Sequence, residues 1–201
     1  MNQCAKITKS LVLAACVSAA VGLDTAIYII NFDDIDRSAS QVSGNVISDI
    51  ILKQGKYGYK YESARNAFEG NAPLNKGTYL NRFDHNLVLR VFSKTQEIKD
   101  ELGRLANAKV VVVVENLAKN NPETLFEVYG WDAGLEVSDY QSATTDSDGV
   151  AATVTLNSPD NAKESDIPKS FYKTNEATTR TALEALLPAP ASSSSSSESN
   201  G

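Results

Sequence analysis

One histidine, one methionine, one tryptophan and two cysteines are spread over 201 residues, and these scarcities exclude much chemistry. A His-rich metal centre, a two-histidine zinc site or a disulfide-dense scaffold cannot be assembled from that stock. The chain contains no Gly-x-Gly-x-x-Gly fingerprint, no P-loop and no Gly-x-Ser-x-Gly elbow, so no phosphate cradle or hydrolase nucleophile turn can be read. Positive charge is also short. Lys and Arg number 19 against 25 Asp and Glu, a formal net charge of −6, which argues against a basic nucleic-acid-binding face. The longest apolar stretch, Leu11 to Leu23, falls short of the roughly 20 residues a bilayer demands. Extending it to Ile30 would bury Asp24 at a cost of about 3 kcal/mol, so no stable membrane span is expected.

What remains is a globular composition, 42% hydrophobic and 22% charged, with the length of one compact domain plus an appendage. Charge is uneven along it. From Asp132 onward there are eleven acidic residues against four basic ones, while the preceding segment is close to neutral. Such a third reads either as a solvated surface or as a patch that repels polyanions.

Two lysines, an apolar stretch and Leu13-Ala-Ala-Cys16 together read like a bacterial lipoprotein signal. Two features oppose that reading. Only six residues separate Lys9 from Cys16, and an apolar Val-Ser-Ala-Ala-Val follows the cysteine where a polar tether would be expected. Cys4 and Cys16 could pair, or could serve as small buried hydrophobes in a reducing compartment.

Ala26 to Phe32 is β-branched and aromatic and stops at Asp33-Asp34, which predicts a strand buried on both faces over part of its length. Val42 to Leu52 fits a strand or a short helix equally well. In Lys56 to Glu62 the alternation of Tyr57, Tyr59 and Tyr61 places three rings on one side of a strand. Ala64 to Lys76 is rich in turn residues, and Thr78 to Phe92 resumes extended character. The span 57–92 therefore reads as two long strands joined by a polar excursion. Ser93-Lys-Thr-Gln96 resembles a capping box ahead of Ile98, Leu102 and Leu105, predicting a helix from about Lys94 to Asn107. Val110 to Val114 is a central strand, Leu125 to Tyr129 and Leu135 to Val137 are strands around two glycines, and Val150 to Leu156 alternates after an Asp148-Gly149 turn. Thr174 or Asn175 caps a last helix whose Leu183, Leu186 and Leu187 share a face until Pro188.

The expected architecture is α+β and mainly antiparallel, a sandwich or partly open barrel with one helix packed on the sheet and a short C-terminal helix. Residues 1–24 form an apolar N-terminal arm, 25–187 a β-rich core domain with the long hairpin excursion 57–92, and 188–201 a Pro/Ser-rich flexible tail with six consecutive serines.

No constellation in this chain points to catalysis, a cofactor or a metal. Asp33, Asp34 and Asp36 could hold a hard cation only with distant ligands that cannot be named, and they serve equally as turn residues. Thr144 to Gly149 echoes half a calcium loop, but Thr144 and Thr155 stand where its end carboxylates belong. Asp84 and His85 are neighbours that point to opposite faces of a strand, so His85 reads as structural. The excursion within 57–92 is open to two readings, an ordinary mobile loop or an assembly element whose strands pair with another copy. Its apolar residues Tyr57, Tyr59, Tyr61, Phe68, Leu74, Tyr79 and Phe83 are the candidate assembly contacts.

Several segments carry a resemblance: Cys4-Ala-Lys6 with Cys16, Ala26-Ile-Tyr-Ile-Ile-Asn-Phe-Asp-Asp-Ile35, Phe126-Glu-Val-Tyr-Gly-Trp-Asp-Ala-Gly-Leu135, and Ser158-Pro-Asp with Lys163-Glu164 and Ile167-Pro168. In these the chain resembles virion structural proteins of tailed phages that infect Bacteroidetes-type hosts, and its order of elements is similar to tail tube subunits. The resemblance implies hexameric rings around the passage for DNA, with the 57–92 hairpin lining the ring or reaching the next one. It implies copies of the chain and other virion proteins as partners, DNA passing without specific binding, and assembly into the virion in the host cytoplasm. The N-terminal apolar segment and the serine tail depart from a plain tube subunit. They leave a head–tail ring, an auxiliary capsid protein, or a lipid-anchored or secreted binding module of the bacterial envelope as alternatives.

Overall fold

The computed structural model describes residues 22–119, 121–142, 144 and 149–189. The expectations for most of the N-terminal arm, both cysteines, Asp148 and most of the serine tail lie outside the described residues. In chain order the strands are β1 (Leu23–Asn31), β2 (Gln41–Ser43), β3 (Val46–Asp49), β4 (Tyr59–Glu62), β5 (Phe68–Asn71), β6 (Leu74–Lys76), β7 (Asn81–Phe83) and β8 (Asn86–Val91). Helix α1 (Gln96–Leu105) follows, then β9 (Val110–Asn116), β10 (Phe126–Tyr129), β11 (Glu136–Ser142), β12 (Ala152–Asn157), β13 (Lys169–Phe171) and α2 (Glu176–Glu184).

These elements build the expected α+β, mainly antiparallel fold in a sandwich-like arrangement. A seven-stranded sheet runs β2-β3-β13-β10-β9-β1-β4, a four-stranded sheet runs β11-β12-β8-β5, and β6 and β7 form a separate hairpin. Among the described strands the β13–β3 pair is parallel and the rest are antiparallel.

The valine run explains the layering. Successive side chains of a strand point to opposite faces, so a strand apolar at every position must be covered on both. In β9, Val110, Val112 and Val114 join Ile27 and Ile29 of β1 in a core closed by Phe68, Leu87, Leu89, Val154 and Leu156 of the smaller sheet. Val111 and Val113 join Tyr28 and Ile30, with Phe126, Val128 and Phe171 of the same sheet, on the other face, which packs with Leu183 of α2 and Leu186 just beyond it. Each aliphatic side chain removed from water contributes about 1.5–3 kcal/mol, so these two layers dominate the stability of the fold. Both helices are capped at the N-terminus. Asn175 accepts from the Thr178 backbone N–H at 2.9 Å, as expected for α2, whereas Thr95 rather than Ser93 caps α1, accepting from Ile98 N–H at 3.3 Å.

Three expectations are corrected. The span 57–92 is not one long hairpin: β4 pairs with β1, and β8 pairs with β12 and β5, so its two ends belong to different sheets. Alternation reveals that strands exist but does not choose their partners, and β1 needed a second neighbour to saturate its backbone. The polar stretch after Ala64 is likewise not a loop throughout, since it supplies β5 and β6. Val42 to Leu52 resolves into neither a single strand nor a helix, because Gly44 at φ +59° folds it into the β2–β3 hairpin.

The double-sided core sets a stability prediction. Ile30→Ala should destabilise the chain by about 2–5 kcal/mol, whereas Tyr79→Ser at a solvent-facing position should change it by no more than about 0.5 kcal/mol. Urea midpoints of the two variants measure the difference.

Candidate functional site

Two features stand out around the base of the β6–β7 hairpin: a buried polar knot and the exposed tip above it. The knot forms because the chain leaves β10 through Gly130-Trp-Asp-Ala-Gly134 and must turn sharply before β11. Gly130 has φ +75°, and a Cβ there would lie 2.7 Å from Leu135 Cγ, so only glycine fits. The turn leaves inward-facing N–H groups that need acceptors. Gly130 N–H donates to His85 Nδ1 at 3.1 Å, and the N–H groups of Asp132 and Ala133 donate to Glu164 Oε2 and Oε1, each at 2.8 Å.

His85 and Glu164 are each only 1% exposed. With Nδ1 accepting, the neutral His85 ring carries its proton on Nε2, which donates to the Asp166 carbonyl at 3.0 Å. Burial pushes the His85 pKa down to about 4, against smaller raising contributions from the Asp166 carbonyl and from Asp132 and Asp84. Burial also raises the Glu164 pKa, and the two backbone donors oppose that shift. The main chain of Glu164 is engaged as well, exchanging both hydrogen bonds with Phe83 at 2.9 and 3.0 Å. One residue thus ties the Gly130–Gly134 turn to the foot of the hairpin. Both ring nitrogens of His85 and both carboxylate oxygens of Glu164 are engaged with main chain, so the knot's chemistry is that of a structural staple.

The hairpin itself projects. Leu74 pairs with Phe83 and Lys76 with Asn81 across it, and a Cβ at Gly77 would collide with the Leu80 carbonyl, which explains glycine in this tight connection. Its apolar groups point outward: Leu74 and Leu80 are about half exposed and Tyr79 is 94% exposed. At the other end of β8 lies an apolar groove of about 480 Å³ between β4, β8 and the first turns of α1. Leu105 at the end of α1 enters the core, but Ile98 nearer its start does not, and the helix stands off the sheet there.

The candidate assembly residues fall into three groups. Leu74 and Tyr79 sit exposed on the hairpin, with Phe83 half-buried at its foot. Tyr59 and Tyr61 lie on the face of β4 turned to α1, where the Tyr61 hydroxyl reaches Glu101 Oε1 at 3.3 Å, and Tyr57 precedes that strand. Phe68 is corrected as a surface contact: it is 4% exposed because its register opposite Leu89 turns it into the core. The three aspartates do not converge either. Asp34 pairs with Lys56 at 3.1 Å, Asp36 accepts from Ser38 and Ala39 N–H, and the Asp33 carbonyl accepts from Lys53. Among the described residues no group of three or more metal-ligating side chains converges. Asp84 faces Lys163 at 3.1 Å rather than the His85 ring. Glu164 escaped sequence reasoning, since Lys163-Glu-Ser165 reads as ordinary surface. The mirrored glycines at 130 and 134 were the available signal of a turn in need of acceptors.

His85 generates a pH prediction. Its folded pKa lies below the unfolded value of about 6.5, so the unfolded chain binds the extra proton first. Stability from this group is complete above about pH 6.5 and is lost as pH falls towards about 4, a contribution on the order of 3 kcal/mol. Melting curves between pH 7 and 4 should show this slope in the native chain and a flatter one in His85→Gln. Comparison with known proteins yields no match for this chain: no family model, no curated protein and no solved structure.

Proposed function

We propose that the chain is a self-assembling structural subunit of a tailed-phage virion, a tail-tube or head–tail ring component that performs no turnover. The observation that carries this reading is the projecting β6–β7 hairpin. Leu74, Tyr79 and Leu80 expose large apolar groups together on two short strands and their connection, and neither sheet of the sandwich covers them. Exposed apolar groups gathered on a protruding element mark an interaction surface. The knot beneath, fastened by Glu164 and His85, supplies a rigid base, which lowers the entropy lost when such an element docks.

The resemblance of the 26–35, 126–135 and 158–168 segments to phage virion proteins supplies the biological setting. Its partners are then copies of itself in rings or a lattice, together with other virion proteins. The acidic carboxy-terminal third, including exposed Glu136, Asp139, Asp160 and Asp166, suits DNA that passes without being held. An auxiliary capsid role in the same virion class uses the same surfaces. Leu13-Ala-Ala-Cys16 favours a second reading, a lipid-anchored envelope module, for which intact mass would register loss of residues 1–15 and gain of acyl chains.

Sedimentation velocity and negative-stain imaging of the full chain test the first reading. Rings, tubes or a ladder of oligomers growing with concentration are expected. A single species near 21.6 kDa at every concentration would overturn it.

A further inference from the structure

The hairpin tip and the apolar groove lie at opposite ends of the same subunit. β5 and β8 pair along their length, Phe68 with Leu89 and Asn71 with Asn86. The hairpin leaves from the Asn71 and Asn86 end, through Pro73, whose carbonyl accepts from Asp84 N–H at 3.0 Å. The groove lies past the other end, lined by Tyr61, Phe68, Leu89, Phe92, Ile98 and Leu102. A six-residue strand spans roughly 20 Å, so a tip and the groove of its own copy are separated by the height of the sandwich.

Their chemistry is complementary. The tip offers Leu74, Tyr79 and Leu80 flanked by Lys76 and Arg82, both exposed and without an ion-pair partner among the described residues. The groove offers apolar walls with Glu97 and Glu101 on the α1 rim, and its two cations, Lys60 and Arg90, are already paired with Glu62 and Glu69, each at 3.0 Å. Glu101 is bonded to Arg104 at 2.8 Å, whereas Glu97 has no ion-pair partner among the described residues. Other borders of the sandwich are less inviting. The long edge strand β11 carries Glu136, Asp139 and a register shift between Val137 and Asp139, devices that discourage edge-to-edge pairing.

We infer that the β6–β7 tip of one copy docks into the β4–β8–α1 groove of the next, with Lys76 and Arg82 facing Glu97 and Glu101. Because the two surfaces lie at opposite ends of the subunit, the contact is heterologous: it propagates from copy to copy in one direction and yields a ring or a filament. This inference rests on the self-assembly reading and names the surfaces that would carry it.

Full-length variants with one surface altered test it: a tip variant Tyr79→Ser with Leu80→Ser, and a groove variant Phe92→Ser with Glu97→Lys. All four positions are exposed, so folding should survive. Each variant alone should raise the concentration for half-assembly about tenfold or more, as expected when anchor side chains are lost. Mixed in equal amounts, the two should form a 1:1 complex that stops at two chains, since one intact tip and one intact groove remain, and this result requires both to be folded. Native chain that assembles while both variants assemble equally well would overturn the inference and leave self-assembly standing. Folded variants that stay monomeric and give no mixed complex would also overturn it. Native chain that remains monomeric would overturn the self-assembly reading as well.

Discussion

The structure depends on one constraint: Ile27 to Ile30 of β1 and Val110 to Val114 of β9 are apolar at every position and must be covered from both sides. A strand with alternating polarity can leave one face to water, but five consecutive valines cannot. The smaller sheet and the end of α1 close one face, while α2 and the connecting residues Ile35, Ile50, Leu125 and Trp131 close the other. The remaining strands follow from this need. β4 and β10 saturate the outer backbone edges of the central pair, so they are committed to the large sheet, and the segment between β4 and β8 must cross to the other layer.

That crossing creates the features of functional interest. The chain passes from β4 to β5, emerges as the β6–β7 hairpin and re-enters as β8, leaving a tip at one end of the sandwich and an uncovered groove at the other. The hairpin is not held by hydrophobic burial. Its foot is bonded to the backbone of Glu164, whose carboxylate also satisfies the glycine-bounded turn after β10. Burying a carboxylate without a paired cation is costly, and here two backbone donors offset that cost. The same logic applies to His85, kept neutral by burial so that Nδ1 can accept from Gly130. Polar residues in this molecule position the hairpin; apolar residues at its tip are what a partner would meet.

Much of the fold was legible because its strongest signals have few alternatives. Val110 to Val114 can hardly be a helix, Ile98, Leu102 and Leu105 mark one helical face, and Asn175 before Leu183 and Leu186 marks a capped helix. The pairing of strands was not legible. Tyr59 and Tyr61 alternate as they would in any half-covered strand, and nothing local reveals that β1 rather than β8 is the neighbour. Phe68 misleads for the same reason: surrounding Asn and Gly residues suggest a loop, while its register opposite Leu89 is decided by the rest of the sheet. The role of His85 was foreseeable from its isolation. That of Glu164 was not, because its partners are backbone groups more than thirty residues away, with no side-chain signature.

Hydrogen–deuterium exchange on the full chain, compared between dilute and concentrated solution, tests the central claim most directly. Association through the hairpin should slow exchange together at two separate places, the Leu74–Phe83 hairpin and the Tyr59–Glu62 and α1 rim, with β11 unchanged. Exchange that is indifferent to concentration, or protection that gathers along β11 while the hairpin stays open, would contradict the account.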